Sequence, residues 1–142
     1  IGRSGADRKK MAVTDKNAKN AATNYRVLAE YPGYSHVECR LETGRTHQIR
    51  AHFSFHRHPL FSDARYGGDQ ILKGTLSGAY KLFIRRTMEA LPRQALHAEL
   101  LGFVHPTTGQ YLEFTSPLPE DFRTALRLWE DYAKESMAAR RY

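Results

Sequence analysis

The chain has 142 residues, enough for one domain with a modest core and too few for two ordinary ones. Hydrophobic residues make up 41% and charged residues 26%, which excludes a wholly disordered chain. Lys and Arg number 22 against 15 Asp and Glu, and the net charge of +7 suits a polyanion such as RNA as well as it suits ordinary surface charge.

The single cysteine, Cys39, cannot form an internal disulfide and falls in an alternating apolar pattern, so it is expected in the core and in a reducing compartment. No run of 18 apolar residues occurs, and residues 1–20 lack the apolar centre of a signal peptide. The expected location is the cytoplasm, with no membrane partner. The chain opens at Ile1 rather than Met, and the expectation is a piece of something longer.

Residues 1–20 read as a loosely structured basic arm, with Arg3, Arg8, Lys9, Lys10, Lys16 and Lys19 against Asp7 and Asp15. Contact with a phosphate backbone and a solvated loop are both open readings. Thr23 to Tyr31 has the β-branched and aromatic residues of a strand, and Pro32 and Gly33 mark a turn after it. From Ser35 to Glu42 the apolar Val37, Cys39 and Leu41 alternate with polar residues, so the two runs should pair as an antiparallel hairpin.

Gly44 breaks the second strand, and Thr46 is placed to cap a following helix by accepting a backbone N–H. Ile49, Phe53 and His56 share one face of that helix, with Arg50 turned partly away. His58 to Gly68 should be mostly loop, and Asp69 to Ala90 has helical character ended by Pro92. Ala95 to His105 and Gln110 to Thr115, around Thr107, Thr108 and Gly109, predict a second hairpin. Pro119, Glu120 and Asp121 begin a terminal helix whose apolar stripe is Phe122, Ala125, Leu126, Trp129 and Ala133.

The chemistry concentrates in Leu41 to Phe53, where arginines and histidines gather with Glu42 as the one carboxylate. A metal site is conceivable, since His47, His52, His56 and His58 lie close together and His52 and His56 are one helical turn apart. Against it, no Glu stands between a histidine pair at zinc-protease spacing and no cysteine pair exists. A nucleophilic Cys or Ser is less favoured, because Cys39 reads as buried and no Gly-x-Ser-x-Gly elbow is present. The better reading is an anion site: Gly44 permits a tight turn, a helix start offers free N–H groups, and Arg45 and Arg50 add positive charge. The anion could be an RNA phosphate or a carboxylate from elsewhere in the protein.

Several segments in order then carry a family resemblance: Met11 to Val13, Ala22 to Leu28, Leu41 to His52, His58 to Gly68, Arg93 to Gly109 and Ser116 to Phe122. Together they resemble the carboxy-terminal part of an RluA/RluD-type RNA pseudouridine synthase, most specifically in the Thr-Gly-Arg-x-His-Gln-x-Arg core at Thr43 to Arg50. The resemblance implies an α+β fold with a mixed, mainly antiparallel sheet and packed helices, of which residues 21–142 form the carboxy-terminal half. It implies isomerisation of uridine to pseudouridine in large-subunit ribosomal RNA or transfer RNA, with no metal or organic cofactor.

In that family an essential aspartate lies in a His-Arg-Leu-Asp stretch, which occurs nowhere in these 142 residues, and an active-site tyrosine motif also precedes the region matched here. By resemblance Arg50 is the ion-pair partner of that absent aspartate, and Leu96 packs beside the target base. Arg45, Thr46, His47 and Gln48 belong to the same signature and are expected at the substrate, while Arg3, Arg8, Lys9 and Lys10 would contact RNA. Asp63 matches a structural loop. Two departures stand out: Ser62 where the family usually has Gly before the Asp, and Asn17 to Ala21 where Gly-Lys is common. The expectation is a synthase fragment, inactive alone, whose partners are RNA and the missing amino-terminal half. The alternative is a non-catalytic RNA-binding or interaction module.

Overall fold

Strand β3 (Thr23–Tyr31) and strand β4 (Tyr34–Leu41) form the longest antiparallel pair. They are joined by Pro32, whose ring presets φ, and Gly33, which takes φ 80°, a value a side chain would oppose. The register shifts between Val27 and Ala29, a bulge that leaves Leu28 unpaired with any β4 residue. This computed structural model describes residues 1–3, 11–12, 18–70 and 77–140, apart from the side chains of 3, 11–12 and 137–140.

Two further antiparallel pairs stand among the described residues: β1 (Gly2–Arg3) with β2 (Met11–Ala12), and β5 (Leu100–Val104) with β6 (Tyr111–Thr115). Among the described residues the strands make three separate two-stranded sheets, all antiparallel. The helices are α1 (Gln48–Phe55), α2 (Gly78–Ala90) and α3 (Glu120–Arg140), with one turn of 3₁₀ helix at Ala64–Tyr66. The fold is α+β with packed helices, as the family resemblance implies, and every described strand pair is antiparallel.

The main core lies between α2 and α3. Tyr80, Ile84 and Thr87 of α2 and Leu91, which caps its end, recur at helical spacing and are all buried. Ser77 caps the helix by accepting from the Tyr80 N–H at 3.2 Å, so the helix begins well after Asp69. Trp129 of α3 is 4% exposed and meets Tyr31, Tyr34, Phe61, Phe83 and Tyr132. Its stripe, Phe122, Ala125, Leu126, Trp129 and Ala133, is buried or half-buried throughout. Tyr80 donates its hydroxyl to the Pro32 carbonyl at 3.0 Å, and burial pushes that phenol up to about 12.

Three expectations change. Residues 4–10 and 13–17 of the expected basic arm lie outside the described residues, and among the described ones β1 pairs with β2 and Ile1 is buried with Ala51 and Tyr66. Cys39 is half-buried rather than a core residue, lying on the face of β4 that borders a groove. The β5–β6 hairpin starts at Leu100, not Ala95, and leaves Leu100, Leu101, Phe103, Val104, Tyr111 and Phe114 exposed. No described helix is long and apolar enough to cross a membrane.

Trp129→Ala should lower the unfolding free energy by about 3–5 kcal/mol, because it empties the centre of the aromatic cluster. Chemical denaturation measures this, and a loss below about 1 kcal/mol would contradict the packing described.

Candidate active site

The turn after β4 is built around one amide. Gln48 is 3% exposed, and its Oε1 accepts from the Thr43 hydroxyl at 2.7 Å and from the Arg45 N–H at 3.0 Å. Its Nε2 donates to the Ala22 carbonyl and the Thr23 hydroxyl, both at 2.9 Å. Both acceptor sites and both donors are thereby used, so Gln48 fastens the turn to β3 and has no amide capacity left for a substrate. Thr43 also accepts from the Ala22 N–H at 3.0 Å.

Thr46 does not cap α1. The residue before the helix is His47, held left-handed at φ 51° with no side-chain cap, while Thr46 is exposed. The physical reason is that the Arg45 to Gln48 turn, closed by the Gln48 N–H on the Arg45 carbonyl, sets the helix start one residue later than a Thr46 cap requires. Arg45 donates its Nε to the Asn20 carbonyl at 2.8 Å, tying the turn to the segment before β3.

Arg50 is not an unmatched cation. Its Nε and Nη2 fork onto Asp63 Oδ2 and Oδ1 at 2.9 and 2.8 Å, and Asp63 is 1% exposed. The guanidinium lies 4.8 Å from the centre of the Tyr66 ring. Hydrogen bonding to Asp63 raises the Arg50 pKa still further, so it is permanently charged. Its Nη1 makes no hydrogen bond among the described residues, which leaves one edge able to meet a second anion.

The Asp63 loop is shaped to hold that carboxylate inside. Ser62 sits at φ 63° and Gly67 at φ 84°. A Cβ on Gly68 would collide with the Leu60 carbonyl, so that position admits only glycine. The Asp63 carbonyl accepts from the Tyr66 and Gly68 N–H groups at 3.2 and 2.7 Å. Ser62 keeps the left-handed backbone that a glycine would take without strain, at a cost of about 1–2 kcal/mol.

His47 Nδ1 and the Tyr66 hydroxyl are 2.8 Å apart. The His47 pKa is lowered by burial first, then by Arg50 and Arg65. His52 Nδ1 meets the Thr23 hydroxyl at 2.8 Å, and its pKa is lowered chiefly by burial, as is that of His36. Among the described residues no three His, Cys, Asp or Glu side chains are gathered as a metal site. Burial pushes the Cys39 thiol up, away from nucleophilic character.

Beside this network lies an open groove of about 1100 Å³ between the β3–β4 hairpin, α1 and α3. Ile49, His52 and Phe53 of α1 and His56 just after it border it, and Leu96 borders it from the segment after α2. Arg50 and Asp63 do not border it, consistent with Arg50 turning from the Ile49 face. Arg8, Lys9, Lys10 and the Arg3 side chain lie outside what the structure describes.

Sequence reasoning missed the role of Asp63. Its one signal was a lone acid among turn formers shortly after the arginine, which a structural loop explains equally well.

Stability should fall as pH drops below about 6.5. Burial holds the pKa values of His36, His47 and His52 in the folded protein below the ordinary imidazole value of 6.5, so the unfolded chain takes up protons first. The denaturant midpoint at about pH 5.5 should be lower than at about pH 7.5, and equal midpoints would contradict the burial of these rings.

Residues 3–55 match the family model described as RNA pseudouridylate synthase. The chain is 45% identical over 128 residues to the ribosomal large subunit pseudouridine synthase D of Pseudomonas aeruginosa, covering 90% of this chain and 38% of that protein. It is 41% identical over 142 residues to the enzyme of the same name from Xanthomonas campestris, covering 99% of this chain and 41% of that one. A solved structure of human RNA pseudouridylate synthase domain containing 4 superposes with a TM-score of 0.55 at 28% identity, covering 87% of this chain and 49% of that one. The chain thus spans about two fifths of the length of these two bacterial relatives. With relatives of one kind matched along nine tenths or more of its residues, the chain belongs to the RNA pseudouridine synthase family.

Proposed function

We propose that the protein isomerises uridine to pseudouridine in RNA, in the cytoplasm, with large-subunit ribosomal RNA as the first substrate class and transfer RNA as the second. The observation that carries this reading is Arg50: it ends the Thr43 to Arg50 signature, one edge is fixed by Asp63, and Nη1 is left for another carboxylate. The relatives named as ribosomal large subunit enzymes support the substrate class.

The reaction breaks the bond from ribose C1′ to uracil N1, turns the base, and joins C1′ to C5. N1 gains a proton and the C5 proton is lost, so the base is isomerised with no redox change and no added cofactor. In this reading Arg50 orients an aspartate and favours its charged form. No His-Arg-Leu-Asp stretch occurs in the 142 residues, so we take that aspartate to lie in a further part of the protein and these residues alone to be inactive. The same further part would cover the exposed apolar faces of β5 and β6, which a two-stranded hairpin cannot bury by itself. Arg3, Arg8, Lys9 and Lys10 would meet phosphates, and Arg45 and His47 would support the corner.

Arg50→Ala is a poor test, because it leaves Asp63 buried and unpaired at a cost of about 3–5 kcal/mol. Arg50→Lys keeps the charge and loses the fork. In the protein as expressed from its own gene, Arg50→Lys should slow tritium release from RNA labelled at uridine C5 by about a hundredfold or more. The 142-residue chain alone should release none. Undiminished release by Arg50→Lys would contradict the role given to Arg50, and turnover by the chain alone would contradict its incompleteness.

A further inference from the structure

Leu96 lies in a stretch, residues 92–98, that belongs to no helix or strand. Such a segment holds a side chain in place only through its anchors, and three are visible. The Ala95 N–H donates to the Phe61 carbonyl at 2.9 Å, tying the stretch to the loop that carries Asp63. His97 Nε2 lies 2.9 Å from the Ser116 carbonyl. The third anchor is Arg93, whose Nε and Nη2 fork onto Asp121 Oδ2 and Oδ1 at 3.0 and 2.9 Å.

The Arg93 fork reaches in both directions. Its remaining nitrogen, Nη1, faces the carbonyls of Gln94 and Leu96 at 3.5 and 3.4 Å, long contacts that bracket the backbone on which Leu96 stands. Asp121 is in turn fixed at the start of α3, where its Oδ1 accepts from the Phe122 N–H at 2.8 Å. Beyond it, Ala125 and Trp129 bury α3 in the main core. A continuous chain of contacts therefore runs from the core through Asp121 and Arg93 to Leu96.

We propose that Arg93 and Asp121 are positioning residues that hold Leu96 at the groove, where it packs against the target base. The inference rests on the reading of the protein as a pseudouridine synthase. The pair is open to solvent on both sides, 38% and 35% exposed, and exposed ion pairs add little to global stability. Its geometry is instead suited to placement, because a bidentate fork fixes direction as well as distance. A reacting group displaced by a fraction of an ångström loses rate while binding elsewhere is kept.

The test compares Arg93→Ala, Asp121→Asn and Leu96→Ala with wild type in the protein as expressed from its own gene, using release of the uridine C5 tritium. Arg93→Ala and Asp121→Asn should each lower kcat about tenfold or more, with KM for the RNA within about twofold of wild type and melting temperatures nearly unchanged. Because both act through Leu96, the Arg93→Ala, Leu96→Ala double variant should be no slower than Leu96→Ala alone. Wild-type kcat in Arg93→Ala or Asp121→Asn would overturn the proposal, as would effects of Arg93→Ala and Leu96→Ala that multiply. Absence of release by the wild-type protein would remove the synthase reading itself, a failure distinguishable from the others because no variant would then matter.

Discussion

A buried carboxylate must be matched, and matching Asp63 organises much of this molecule. At 1% exposure its charge is tolerable only with a cation and hydrogen bonds around it. Arg50 supplies the cation through two parallel bonds and must therefore project from α1 toward the loop of residues 60–68. Placing α1 so that it can do this requires a fixed helix start, which the fully bonded Gln48 amide provides. The loop answers with left-handed residues at Ser62 and Gly67 and with the crowded Gly68. Tyr66 closes the arrangement, stacking on Arg50 and meeting His47.

The same pairing divides α1 between two tasks. Ile49, His52, Phe53 and His56 face the groove that Leu96 borders, while Arg50 faces Asp63. Ile49 and Phe53, with the His52 ring beside them, and the fixed Arg50 cation thus lie on adjacent faces of one short helix. The two segments given roles in the proposed reaction are held from different sides. Arg50 is held by the Asp63 loop, and the Leu96 stretch is linked to that loop through Ala95 and to α3 through Arg93.

The parts legible in the sequence were those governed by local period and turn chemistry. The β3–β4 hairpin follows from alternation around Pro32 and Gly33, and α3 from its apolar stripe and acidic first turn. Thr46 misled because a capping residue is recognised by type, whereas the helix start here is set by a side chain, Gln48, reaching back to β3 across a long stretch of chain. Asp63 was read as loop structure alone because nothing local distinguishes a carboxylate that caps a turn from one that neutralises an arginine on another element. The Thr43 to Arg50 signature was visible, yet the division of labour within it was not: Gln48 is consumed by the fold and Arg50 keeps a free edge.

A double-mutant cycle on Arg50 and Asp63, followed by denaturant unfolding of the single and paired variants Arg50→Met and Asp63→Asn, probes the pivotal pair directly. The structure predicts a coupling free energy of about 2–3 kcal/mol, the singles together costing more than the double. Additivity to within about 0.5 kcal/mol would contradict it, and would mean that Arg50 and Asp63 do not hold one another in the folded protein.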